Sequence, residues 1–279
     1  MSCSHCGVTA ESTNMMRCCC HDAYYCDKVC QRAQWRAHKP VHQDIIDRKL
    51  LKLPLVTDDE ELKSKLYDDC AVCTAPLPSD HDLSSWRSCC GNNICRKCDG
   101  ANMASSGSDR CVFCREPGAK TRELTVVRLR KLIEKNPEHA QALSLMGDHY
   151  RIGDGVNADP VEARSLYMQA STLGNGPASS NLAAMYDDGS CGVKVDLTES
   201  RRYFELSIAQ GEIVAIHNFA IILTKRGEHT EAKAKFFEAA ARGYEGSIRS
   251  LRIMEMQKTG VNKVEIQAAA RLCQRVKGL

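Results

Sequence analysis

The sequence predicts a mostly α-helical protein, in which two small cross-linked α+β modules precede a solenoid of helix pairs. Three observations point there. Fifteen of the 17 cysteines fall within residues 1–114 of a 279-residue chain. Residues 140 onward repeat themselves at a long period, with Ala, Leu and Gly recurring. Aromatic residues make up only 5% of the chain, so the first 118 residues can hardly bury a core of ordinary density and need staples instead. The remaining composition narrows the class. Charged residues at 26% and an apolar set at 43% suit a soluble globular chain. A net charge of +3 is too balanced for a general polyanion binder. No run of 18 apolar residues occurs, and Met1 to Cys6 contain no apolar signal region. The expected setting is therefore intracellular, cytoplasmic or nuclear. In such a reducing compartment thiols bind metal more often than they form disulfides.

Residues 1–42 form the first cysteine- and histidine-rich module. The spacing is Cys3-x2-Cys6, then Cys20-x5-Cys26-x3-Cys30-x7-His38-x3-His42. Pairs two or three residues apart let a tight turn present both side chains to one ion. The spacing of His38 and His42 puts both rings on one helix face. Thiolate and imidazole in such sets suit tetrahedral zinc. Through Tyr24-Tyr25-Cys26, Cys30-Gln31, Trp35 and His38-Lys39, the stretch resembles a MYND finger. That resemblance implies interleaved ligation, with Cys3, Cys6, Cys26 and Cys30 on one zinc and Cys18, Cys20, His38 and His42 on the other. Arg17 stands where the ligand before Cys20 usually lies, so Cys18 takes its place, with Cys19 as the alternative. His42 stands where the family usually has Cys. The resemblance also implies a small protein-binding module, often for proline-containing peptides laid along a strand edge, or a finger that only caps its neighbour.

Residues 43–67 hold neither Cys nor His and read as a linker with a helical stretch. Residues 68–118 hold the second cluster: Cys70-x2-Cys73-x15-Cys89-Cys90-x4-Cys95-x2-Cys98-x12-Cys111-x2-Cys114. Three CxxC pairs around a central cysteine pair are a strong zinc signal. The segments from Cys90-Gly91 to Cys98, and from Cys111 to Pro117, resemble an all-cysteine RING finger. Its cross-brace implies that Cys70, Cys73, Cys95 and Cys98 share one zinc, and that Cys89, Cys90, Cys111 and Cys114 share the other. Asn92 stands where common RINGs carry His and is a poor zinc ligand, which favours the cysteine pair. About four Zn2+ ions are expected in all, each structural site contributing on the order of 10–16 kcal/mol of apparent folding energy.

Residues 119–138 read as a connecting helix, with Leu124, Val127, Leu129 and Leu132 as its apolar stripe and Pro137 marking its end. Residues 139–279 are the repeats. Ala142-Leu143-Ser144-Leu145-Met146-Gly147-Asp148-His149-Tyr150 aligns with Ala178 to Tyr186 at an offset of 36, and Ala215 to Ala220 follow 37 later. A second helix recurs in register: Ala163, Leu166, Tyr167, Ala170 and Gly174 match Ser200, Tyr203, Phe204, Ser207 and Gly211, then Ala232, Lys235, Phe236, Ala239 and Gly243. Asp159-Pro160-Val161-Glu162 and Asp196-Leu197-Thr198-Glu199 read as helix starts, and the closing glycines suit left-handed ends. Ser247 to Val276 read as a degenerate fourth unit that caps the stack. The pattern resembles Sel1-like repeats through Met146-Gly147, Tyr150, Gly153-Asp154-Gly155-Val156 and Asp159; a divergent TPR is the alternative. Tyr and Phe at these positions read as solenoid core, and His149 and His217 as packed or capping histidines.

The order of parts resembles eukaryotic proteins that join MYND, RING and Sel1-like segments. It implies protein docking on the repeats. The RING resemblance implies ubiquitin ligase activity through a charged ubiquitin-conjugating enzyme, with no nucleophile from the chain. Val72 occupies the apolar contact position of that family, Arg115 the linking arginine, and Pro117 the proline that follows. Val112 replaces a common proline, and no aromatic lies between Cys98 and Cys111. The rival reading is a non-enzymatic zinc-binding scaffold for protein–protein interaction. Nucleic-acid binding is disfavoured because Arg32, Arg36 and Lys39 are few and lack an aromatic stacking stripe. Nothing beyond residue 43 reads as a strand-rich methyltransferase domain.

Overall fold

A computed structural model describes residues 16–17, 24–25, 39, 43–53, 84–86, 88–91, 93–95, 97–99, 101, 110–111, 114 and 116–276. The fold is mostly helical, with two short antiparallel ladders among the described residues. It divides into two compact units, Met1–Thr57 with Ala240–Leu279, and Asp58–Ala239. Among the described residues no helix is long and apolar enough to cross a membrane.

The Asp58–Ala239 unit contains the ladder β3 (Ser84–Trp86) to β4 (Asn93–Cys95) and then a train of helices. Helix α2 (Arg122–Lys135) starts where Thr121 Oγ1 accepts from the Leu124 amide at 3.3 Å and ends before Pro137. Its buried face differs from the expected stripe. Val126 and Leu129 are buried, whereas Leu124 and Val127 are 39% and 45% exposed. The stripe runs along Val126, Leu129 and the half-buried Leu132 and Ile133, which are spaced three and four apart; Leu124 and Val127 lie off that line.

The repeats follow as α3 (Ala140–Ile152) with α4 (Pro160–Thr172), α5 (Gly176–Asp188) with α6 (Leu197–Ala209), and α7 (Ile213–Lys225) with α8 (His229–Ala241). Asp159 accepts from the amides of Val161 and Glu162 at 3.1 and 3.0 Å, and Asp196 from those of Thr198 and Glu199 at 3.0 and 3.1 Å. Each second helix runs into a glycine at positive φ: 86° at Gly174, 90° at Gly211 and 96° at Gly243. An L side chain rarely adopts that backbone, which explains the strict recurrence.

Small residues set the helix spacing. Ala142, Ala178 and Ala215 are fully buried, and so are Ala163, Ala170 and Ala183. Tyr167, Phe204, Phe219 and Phe236 are at most 1% exposed, and the Phe204 and Phe219 rings stack 5.0 Å apart. Hydrogen bonds tie one unit to the next. Asn175 donates to Gln141 at 3.0 Å, Asn181 to Asp148 at 3.1 Å, and Ser207 to the Gly176 carbonyl at 2.6 Å. The Tyr167 hydroxyl donates to that same Asp148 carboxylate at 2.6 Å; burial, then the neighbouring carboxylate, pushes the phenol well above its ordinary range. His149 and His217 are both packed, at 9% and 8% exposure.

The other unit pairs β1 (Met16–Arg17) with β2 (Tyr24–Tyr25) and holds α1 over residues 43–50, α9 (Gly246–Met256) and α10 (Lys263–Val276). Helices α9 and α10 are the fourth helix pair. Helix α1 docks on α10 through charge as well as apolar burial. Arg271 makes a two-pronged contact with Asp47, at 2.6 and 2.9 Å, and Arg275 meets Asp44 at 2.8 Å. Asp47 is fully buried, with Ile45 and Leu51 beside it in the sequence also at the core.

Two expectations follow. Arg271→Ala leaves the Asp47 carboxylate buried, with Gln43 as a remaining donor at 3.0 Å. It should lower unfolding stability by about 2–3 kcal/mol in urea titration, with partial recovery when Asp47→Asn removes the charge. A loss below about 0.5 kcal/mol, within the range of an ordinary surface change, would refute the clasp. Burial also pushes His217 down to about 4 from its ordinary 6.5. Between those values the unfolded chain binds a proton that the folded chain does not. Stability is thus intact above pH 6.5 and falls as pH drops, with about 2 kcal/mol lost through this residue by pH 5. His217→Gln should lose correspondingly less between pH 7 and 5, and equal losses would exclude His217 as the source.

Candidate metal centre

The second cysteine cluster converges on one point. A turn over residues 88–90 follows β3 and carries Cys89 and Cys90. The chain then passes Gly91 into β4, where Ser84 pairs with Cys95 and Ser85 with Ile94, the Ile94 side chain being fully buried. A second turn closes when the Cys111 amide donates to the Glu116 carbonyl at 2.8 Å, bringing Cys111 and Cys114 together. The four sulfurs of Cys89, Cys90, Cys111 and Cys114 all lie within 4.8 Å of one another, and Cys90 Sγ is 3.6 Å from Cys111 Sγ.

Those distances suit zinc. Four thiolates at about 2.3 Å from a tetrahedral ion stand about 3.8 Å apart. Burial, then the bonds to Cys114 and Cys111, then the charges of Cys90 and Cys111, hold the Cys89 thiol far above its ordinary range. Crowded thiols resist joint ionisation, and a bound dication supplies the charge that reverses this. Cys111 is 1% exposed, so the site is closed on one side, while Cys114 faces solvent. The ligand set is all sulfur, which fits a structural ion.

The knuckle leans on the repeats. Gly91 has φ +77°, and a Cβ there would stand 2.2 Å from His139 Nε2. His139 is also the start of α3, its Nδ1 accepting from the Ala142 amide at 3.3 Å. A side chain at position 91 would be strained by the positive φ and would force the His139 ring out of its place.

The other expected ligands divide as follows. Cys98 is half-buried outside this quartet, and Cys95 lies in β4 with its side chain outside the described residues. Cys70, Cys73, Val72 and Arg115 lie outside the described residues, as do Cys3, Cys6, Cys18, Cys19, Cys20, Cys26, Cys30, His38 and His42. Pro117 is exposed just beyond the quartet.

Comparison with known proteins assigns two of the three parts. The MYND finger family matches residues 3–42, and the Sel1 repeat family matches residues 140–175 and 176–212. Over 75 residues the chain is 37% identical to the ERAD-associated E3 ubiquitin-protein ligase component HRD3A of Arabidopsis thaliana. That match takes in 27% of this chain and spans 11% of the relative. A solved Sel1 repeat protein from Oxalobacter formigenes is 30% identical, with a TM-score of 0.30 over 32% of this chain and 66% of that one. A protective antigen of uropathogenic Escherichia coli, c5321, with an SLR fold, is 18% identical, with a TM-score of 0.45 over 64% of this chain and 37% of that one. The chain thus carries a MYND finger and Sel1 repeats. The finger implies zinc, and the repeats indicate protein–protein interaction. The thiol quartet lies outside both matched segments.

Metal analysis of the purified full chain checks the quartet. Cys111→Ser should lower zinc by one equivalent per chain, whereas Cys191→Ser, at a cysteine outside both clusters, should not. Unchanged zinc in Cys111→Ser would exclude the quartet as a metal centre.

Proposed function

We propose that the second cysteine cluster is a RING-type module, and that the chain is an intracellular ubiquitin ligase whose Sel1 repeats, with the MYND finger, hold the protein substrate. The observation behind this reading is the thiol quartet, which joins the central cysteine pair of the second cluster to its last CxxC pair, skipping Cys98 between them as interleaved ligation implies. The name of the matching Arabidopsis relative, a ligase component, is consistent with it. Zinc in such a module is structural: it holds the loops in shape and takes no part in the transfer. The chain's own work is positional. Val72 and Pro117 would provide apolar contact for the conjugating enzyme. The Arg115 guanidinium, planar and able to donate to two carbonyls at once, would bridge that enzyme and ubiquitin and restrain the thioester in a reactive pose.

A second reading is a scaffold without ligase activity. It is favoured by the fact that both matched families are docking modules and neither covers the second cluster.

Ubiquitin discharge from a panel of charged conjugating enzymes separates the two. The zinc-loaded chain should accelerate discharge, and Arg115→Ala should cut the acceleration at least tenfold. No acceleration across the panel, with zinc content verified, would establish the scaffold reading.

A further inference from the structure

Helix α2 turns two apolar side chains outward. Leu124 and Val127 are 39% and 45% exposed, on the side away from the buried Val126 and Leu129. At about 100° of rotation per residue, Glu123, Leu124, Val127, Arg130, Lys131 and Glu134 fall within about 60° of Val127. All six are exposed. The face is therefore a stripe with an apolar centre and charged ends. Arg130 is held by the Tyr150 hydroxyl at 3.2 Å, so its aliphatic stem is what it offers a neighbour. Hydrogen bonds from its own amide and from Thr121 hold the Glu123 carboxyl below its ordinary range, so it is ionised at neutral pH. Lys131, Glu134 and Lys120, the last lying just ahead of the helix, make no ion pair among the described residues.

The order of these charges is its own complement. Counted outward from Val127, the N-terminal side carries Glu123 at four residues and Lys120 at seven. The C-terminal side carries Lys131 at four and Glu134 at seven. Two copies laid antiparallel about a twofold axis at Val127 would set each Glu123 against Lys131 and each Lys120 against Glu134. Leu124 would lie on the Arg130 stem, and the two Val127 side chains would meet on the axis. A parallel pair in register would instead set Glu on Glu and Lys on Lys, which is repulsive throughout. Charges flanking an apolar seam choose partner and direction in this way.

We propose that α2 is a self-association surface, on which a second copy of this chain docks as an antiparallel helix pair centred on Val127. The occupant follows from the charge order, because the sequence that complements this stripe is the stripe itself reversed. A 14-residue helix gives a seam about 21 Å long, at the small end of specific interfaces. The dimer is thus reversible, with a Kd on the order of 10 µM. The contact does not rest on the ligase reading.

Sedimentation equilibrium of the zinc-loaded full chain under reducing conditions, from about 1 to 200 µM, tests it. Wild type should pass from monomer to dimer over that range. Val127→Asp, at an exposed position on the axis, should weaken association at least tenfold. Glu123→Lys and Lys131→Glu should each do the same alone. Mixed in equal amounts, those two variants should form a dimer again, because every pair is then of opposite charge. Rescue between two chains that fail separately cannot come from misfolding. A wild-type chain that stays monomeric, a dimer indifferent to Val127→Asp or to either charge reversal, or a mixture no more associated than its components would each overturn the proposal.

Discussion

Close approach of helices over alanine and serine is the contact on which the repeats depend. With Ala142, Ala178 and Ala215 fully buried at equivalent places, helix axes draw near enough for hydroxyl and amide side chains to bond from one unit to the next. Ser179 is buried and reaches both Ser171 at 2.7 Å and Gln210 at 2.6 Å. Larger residues at those positions would part the helices and leave such groups without partners inside the protein, a heavier penalty than the lost packing. The recurring Tyr and Phe then fill the remaining space. Stability of this kind is local, each pair holding the next.

The cysteine-rich part is organised by the opposite logic. It has few apolar side chains to bury, so its turns are arranged to bring sulfurs together. The one such centre among the described residues is also seated against the first repeat, through Gly91 and His139. The two architectures therefore share a boundary at which a backbone without a side chain meets a capping imidazole.

Much of this was legible in the residue order because it rests on short-range rules. Aspartate caps, a proline at a first helical position and closing glycines are all decided within four residues, and they stand where the pattern placed them. Cysteine spacing is similarly local, and the sulfurs of Cys89, Cys90, Cys111 and Cys114 meet across two turns. The face of α2 was not legible. Its apolar residues lie on several sides, and the choice of Val126 over Leu124 is made by what packs against it. The Asp47–Arg271 pair was hidden more thoroughly. Its members are 224 residues apart, and no periodic or motif signal links one aspartate to one arginine at that range. The same holds for the ion pair of Arg128 and Glu116, 3.7 Å apart, whose meeting depends on how the connector before α2 turns.

That long-range pair bears on the order in which the protein forms during synthesis. Helix α1 leaves the ribosome early, carrying a carboxylate that is fully buried in the finished structure. Its guanidinium partner is 224 residues further along, so at about 5–20 residues per second the wait is roughly 11 to 45 seconds. Over that interval the repeats form one after another while α1 stays undocked. Helix α1 is therefore made long before it can settle, and a nascent chain stalled before α10 would present an acidic, half-apolar helix without its partner to the chaperones around it.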